Sequence, residues 1–156
     1  MIRIYGMTAA LALIAAPTTA DAARSTASAS LFDAAGKPIG TATVRAGRDG
    51  LRVRVRITGA PAGERGIHIH AIGKCDPPGF QSAGGHWNPG GRQHGRDNPQ
   101  GAHQGDLPNI IVKPSGKGSL SFTVPAAALT GEGALLDADG AALVIHEKAD
   151  DYRTDP

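Results

Sequence analysis

Leu51, Val53, Val55 and Ile57 alternate with Arg52, Arg54 and Arg56. This strict period of two predicts an antiparallel strand with one face in the core and the other in water. The simplest role for the three arginines is a solvated face that also discourages edge pairing; binding of a polyanion is the alternative. Upstream, Ser28–Phe32 and Ile39–Val44 read as strands joined by the turn Ala35-Gly36-Lys37-Pro38, and Gly47-Arg48-Asp49-Gly50 makes the next turn. Gly59 to Gly66 reads as a loop, after which Ile67-His68-Ile69-His70 alternates again. Ile110–Val112 and Leu120–Val124 flank a turn at Pro114–Gly118, and Ala142–His146 is a last apolar strand. One short helical turn is expected at Ala126–Leu129. Seven short strands, with no repeat, heptad or strong amphipathic helix, predict an all-β fold. The architecture expected is a Greek-key flattened β-barrel or sandwich of immunoglobulin-like type.

One stretch breaks the rhythm. Gly73 to Asp106 is rich in Gly, Pro, Asn and His and has no apolar period. A loop that long in a compact domain is usually functional or disordered, and with so little apolar surface something other than packing must hold it. Composition agrees with short strands and turns: 22 Gly, 11 Pro and only 4% aromatic residues in 156. A formal net charge of +2 gives no support for a nucleic-acid partner.

The N-terminus reads differently. Arg3 precedes the apolar run Met7–Ala16, and small residues end at Ala20–Ala23. That order predicts a secretory signal peptide over residues 1–23, with the mature domain over 24–156. A membrane anchor, the alternative, needs a longer apolar stretch. The expected location is the periplasm or the extracellular space, with no membrane association once the leader is cut. Export makes Cys75, the single cysteine, unusual, since secreted chains normally pair their thiols.

The candidate chemistry lies in six histidines. His68 and His70, two apart on a strand, project from one face. His86, His94 and His103 follow at intervals of 8 and 9, with Asp106 three further on. Three imidazoles and a carboxylate suit tetrahedral Zn²⁺. His68, His70 and His146 remain as an imidazole-only set suited to copper. A single H-x-H pair or a lone loop histidine is commonplace; all six falling into two ligand sets is not.

Four segments carry a resemblance. Gly66-Ile67-His68-Ile69-His70, Gly84-Gly85-His86-Trp87-Asn88-Pro89, His103-Gln104-Gly105-Asp106-Leu107-Pro108-Asn109 and Val144 to Tyr152 closely resemble copper/zinc superoxide dismutase, in that family's order and spacing. The link Ala71-Ile72-Gly73-Lys74-Cys75 resembles the bacterial exported branch. The resemblance implies copper on His68, His70, His86 and His146, and zinc on His86, His94, His103 and Asp106. His86 is then the shared, catalytic imidazole, in agreement with seven ligand places for six rings. Asp150 resembles the carboxylate joining a copper histidine to a zinc histidine, fixing tautomers and ring orientation. The implied reaction is dismutation of superoxide to dioxygen and hydrogen peroxide, an antioxidant defence with superoxide as small-molecule substrate; a homodimer is compatible with it. The alternative is a non-catalytic exported copper/zinc-binding protein on the same fold. A zinc hydrolase is weaker, because Asp106 closes the zinc set.

The family pattern continues past Pro156 with a glycine-rich turn, an arginine beside the copper, a cysteine and a last strand. On that comparison the final strand and the disulfide partner of Cys75 are expected to be missing, and Arg153 stands in the wrong context to replace the arginine. Either the sequence is a shortened version of a complete protein, or the protein is truncated, less stable and less active.

Overall fold

A computed structural model describes residues 25–154; the leader expected over residues 1–23 lies outside them. The chain forms eight strands: β1 (Thr26–Phe32), β2 (Pro38–Gly47), β3 (Gly50–Ile57), β4 (Gly63–Arg65), β5 (Ile67–His70), β6 (Ile110–Val112), β7 (Gly118–Pro125) and β8 (Ala142–Ile145). The helical content described is one 3-10 turn at Gln81–Ala83. All strand pairs are antiparallel. One sheet runs β1-β2-β3-β7, while β4 pairs with β6 and β5 with β8. The strands are not closed into a barrel, so the sandwich form of the expected fold is the one adopted. No described helix is long and apolar enough to cross a membrane.

The alternation read from β3 is the organising feature. Leu51, Val53, Val55 and Ile57 are each at most 2% exposed, while the three arginines between them face water. That buried face packs with Ile67, Ile69, Leu107, Ile110, Val112 and Trp87 from the opposite layer in one apolar cluster. At the typical return for removing apolar surface from water, each of these side chains contributes about 1.5–3 kcal/mol.

Two expectations need correction. Gly63–Arg65, read as loop, is strand β4, registered Gly63↔Val112 to Arg65↔Ile110. It has no apolar alternation; its strand geometry comes from pairing, and Arg65 is anchored by donating to Pro61 O (3.0 Å) and Glu147 O (2.8 Å). Ala126–Leu129 makes no helical turn. Ala126 has a left-handed backbone (φ 54°), and the carbonyls of Ala128 and Leu129 accept from Leu135 and Leu136 instead of a local turn.

The long loop is held against β5. Residues around 86 and 105 return to the free edge of that strand, with bridges His70↔His86 and His68↔Asp106. The Ile69 N–H donates to Gly105 O, Trp87 N–H to Ile69 O, and Gly105 N–H to Trp87 O (2.8–2.9 Å). Gly105 is required here because a Cβ would run into the Ile69 carbonyl oxygen.

Candidate metal centre

Strand β5 fixes the first two imidazoles. His68 and His70 project from one face, and both are buried, at 3% and 9% exposure. β8 pairs beside them, Val144 opposite His68 and Ala142 opposite His70. This brings His146, which follows β8, to 3.0 Å between its Nε2 and His68 Nδ1. The loop's return to β5 delivers His86, whose ring centroid lies 4.1 Å from that of His68 and 4.9 Å from that of His70. One potential ligand atom from each of His68, His70, His86 and His146 lies within 4.8 Å of the other three.

A second group forms on the other side of His86. The Nδ1 atoms of His86, His94 and His103 lie 2.9, 3.2 and 3.3 Å from Asp106 Oδ1, and His103 Nδ1 is 3.3 Å from His86 Nδ1. A tetrahedral zinc site with ligands at about 2.0–2.1 Å has edges of about 3.3–3.4 Å, so this spacing suits that ion. Asp106 is aimed by its other oxygen, which accepts from the Gly95 and His103 backbone N–H groups at 2.9 Å. Burial alone would raise its carboxyl pKa. The hydrogen bond from His86 and the Gly95 N–H, with His94 and His103 nearby, hold it well below the ordinary range.

The chemistry of the donors also fits copper. His70 Nδ1 donates to the Gly84 carbonyl at 2.8 Å, which places the proton on Nδ1 and a lone pair on Nε2. That Nε2 is buried and has no hydrogen-bond partner, an orphaned donor atom aimed into the four-histidine group. Burial lowers the pKa of His68 to about 4 and also depresses His70 and His146. The three are therefore neutral at pH 7, the form that ligates a cation.

Asp150 spans the two groups. Its Oδ2 lies 2.7 Å from His68 Nε2 and its Oδ1 3.1 Å from His94 Nε2. The Tyr152 N–H donates to Oδ1 at 2.7 Å, and the Asp150 N–H donates to Asn109 Oδ1 at 3.0 Å. Asn109 N–H in turn donates to the Tyr152 hydroxyl at 2.8 Å. Asn109 and Tyr152 fall inside the family-like segments, but their part in this clamp is not visible from the sequence, because a polar clamp on a loop leaves no periodic signal. Cys75 stands apart from these groups as an exposed free thiol.

Comparison with known proteins agrees with this geometry. The sequence profile of copper/zinc superoxide dismutase matches residues 39–156. A Cu-Zn superoxide dismutase of Aquifex aeolicus is 41% identical over 133 residues, 83% of this chain and 78% of its own. One from Deinococcus radiodurans is 40% identical over 150 residues, 88% and 80% of the two chains. The crystal structure of a double mutant of a SOD-like protein from Bacillus subtilis aligns with a TM-score of 0.77 at 41% identity, covering 83% of this chain and 87% of that one. Cu/Zn superoxide dismutase from Brucella abortus gives 0.64 at 25% identity, covering 84% and 89%.

Proposed function

The chain belongs to the copper/zinc superoxide dismutase family, and we propose that it is a working enzyme of that family. In this reading His68, His70, His86 and His146 would hold copper, while His86, His94, His103 and Asp106 would hold zinc. The observation that carries the reading is the position of His86. Its Nδ1 points at Asp106 Oδ1 in one donor group, and the same ring stands 4.1 Å and 4.9 Å from the His68 and His70 rings of the other. Nε2 is the nitrogen of this ring that would remain for a copper ion on the other side.

Bound copper supplies one-electron redox chemistry: one superoxide leaves as O₂, and a second, with one electron and two protons, leaves as H₂O₂. The protein's own work is positional and protonic. His86 carries a proton on Nε2 between the two halves of the cycle and gives it to the departing peroxide; the second proton comes from water. Gly84 O keeps His70 in the tautomer with Nε2 free, and Asp150 does the same for Nδ1 of both His68 and His94. A zinc ion held by His86, His94, His103 and Asp106 would tie residues 94–106 to His86 and keep that ring oriented. The leader-like N-terminus supports export, with action on superoxide outside the cytoplasm.

Loading the full chain with stoichiometric copper and zinc and following superoxide decay tests the proposal. Acceleration that persists in the presence of a chelator of unbound copper, and is lost in His86→Ala, is expected. Tight binding of both ions without turnover would instead select a metal-binding protein with the family's fold.

A further inference from the structure

The outer face of the β1-β2-β3-β7 sheet plays no part in the metal centre, and its composition is unusual. Residues in register across antiparallel strands share a face. One cross-strand row therefore reads Thr26, Arg45, Arg52, Thr123. The next two rows centre on Arg54 and Arg56, and every other place in them is serine or threonine. All four arginines are exposed.

An ordinary solvated strand face mixes charge signs; this one carries no carboxylate. The ion pairs among the described residues all join histidine to aspartate in the metal cluster, so none of these guanidinium groups is held in an ion pair. Arg45 directly opposite Arg52 is a like-charge pair, which costs stability. At the β2–β3 turn a cleft of about 300 Å³ is lined by Arg45, Arg48, Arg52 and Arg54. Asp49 shares that lining without pairing to any of them. A chain of net charge +2 thus concentrates fixed positive charge on one flat surface.

The geometry sets the ligand class. Guanidinium forks match sulfate and phosphate groups bidentately. Successive arginines on β3 are about 6.6–6.8 Å apart, so the array suits a polymer with repeated anions better than one small ion. The interleaved hydroxyls both donate and accept, as sugar hydroxyls require. A flat sheet does not enter a duplex groove, and the three rows hold no aromatic on which single-stranded bases could stack. We propose that this face binds an anionic polysaccharide bearing sulfate or phosphate esters. The occupied face is separated from the histidines by the buried side of β3, so binding leaves the metal centre intact.

The test uses the metal-loaded full chain with dextran sulfate and phosphorylated mannan, against neutral dextran and single-stranded DNA. Binding of either charged polysaccharide, with no retention of neutral dextran, is expected. R52S/R54S/R56S should weaken that binding at least tenfold at about 0.1 M salt and flatten its salt dependence by roughly two to three released ions. K74S, on the exposed long loop, should leave it unchanged. Polysaccharide should also protect Arg52, Arg54 and Arg56 of the unmutated protein from phenylglyoxal, a readout independent of variant folding. Failure of both charged polysaccharides to bind, absence of protection, equal weakening by the lysine variant, or tighter binding of DNA at equal salt would each overturn the assignment.

Discussion

Replacing Asp150 by asparagine separates the two metal groups in a direction fixed by the hydrogen bonds. The carboxylate serves three neighbours: Oδ1 accepts from Tyr152 N–H at 2.7 Å and faces His94 Nε2 at 3.1 Å, while Oδ2 faces His68 Nε2 at 2.7 Å. A backbone N–H can only donate, so the asparagine oxygen must stay on the Tyr152 side and the amide NH₂ must face His68. His68 Nε2 then accepts, and its proton moves to Nδ1, the nitrogen 3.0 Å from His146 Nε2 in the four-histidine group. His94 keeps its acceptor. The lost term is one hydrogen bond to a charged group, about 1.5–3 kcal/mol. Loss of an outer partner of a metal-bound histidine typically costs 10–100-fold in affinity, the same size of effect. Competition titrations with chromophoric chelators should therefore show copper affinity falling 10–100-fold in Asp150→Asn, with zinc changed by less than about threefold. Asp150→Ala, which removes both acceptors, should weaken both ions. If asparagine weakens zinc as much as copper, or neither, Asp150 does not set these tautomers.

Gly105→Ala should lower unfolding stability by about 1–3 kcal/mol in urea titrations, because the added methyl displaces Ile69 O and breaks one or two of the hydrogen bonds around it. It should also impair zinc uptake, since Asp106 is the next residue. The metal-free protein should lose stability on mild acidification. His68 titrates near 4 when folded and near 6.5 when unfolded; between those values the unfolded chain binds the proton that the native chain refuses, so stability falls as pH drops through this window. From pH 7.5 to 5 His68 alone contributes about 2 kcal/mol of loss, and His70 and His146 add to it; a urea midpoint that does not move would contradict the assigned burial effect. Copper and zinc at a thousandfold above their dissociation constants should each stabilise by about 4 kcal/mol, raising the melting temperature by roughly 10–20 °C per ion. Chelation should reverse this and open residues 94–106 to proteolysis.

Where burial alternates, the sequence was legible. Strand β3 announced itself through Leu51 to Ile57, and His68 and His70 shared a face because a strand repeats every two residues. The histidine spacing exposed the second group because His86, His94, His103 and Asp106 recur at short intervals in a loop with little apolar surface to hold it. What stayed hidden depends on partners distant in sequence. Gly63–Arg65 becomes a strand only because β6 lies beside it, and Ala126–Leu129 looked helical until residues 135 and 136 took its carbonyls. The Asn109–Tyr152 clamp and the tight seat of Gly105 are products of chain crossing, which local pattern does not encode.

The central claim, that one imidazole at position 86 joins both ions, has a direct spectroscopic consequence. With paramagnetic cobalt on the zinc side and Cu(II) on the other, a shared ring transmits magnetic exchange. The copper EPR signal should then be quenched or strongly broadened, and restored when cobalt is replaced by diamagnetic zinc. A copper signal of full intensity with cobalt bound beside it would contradict the account.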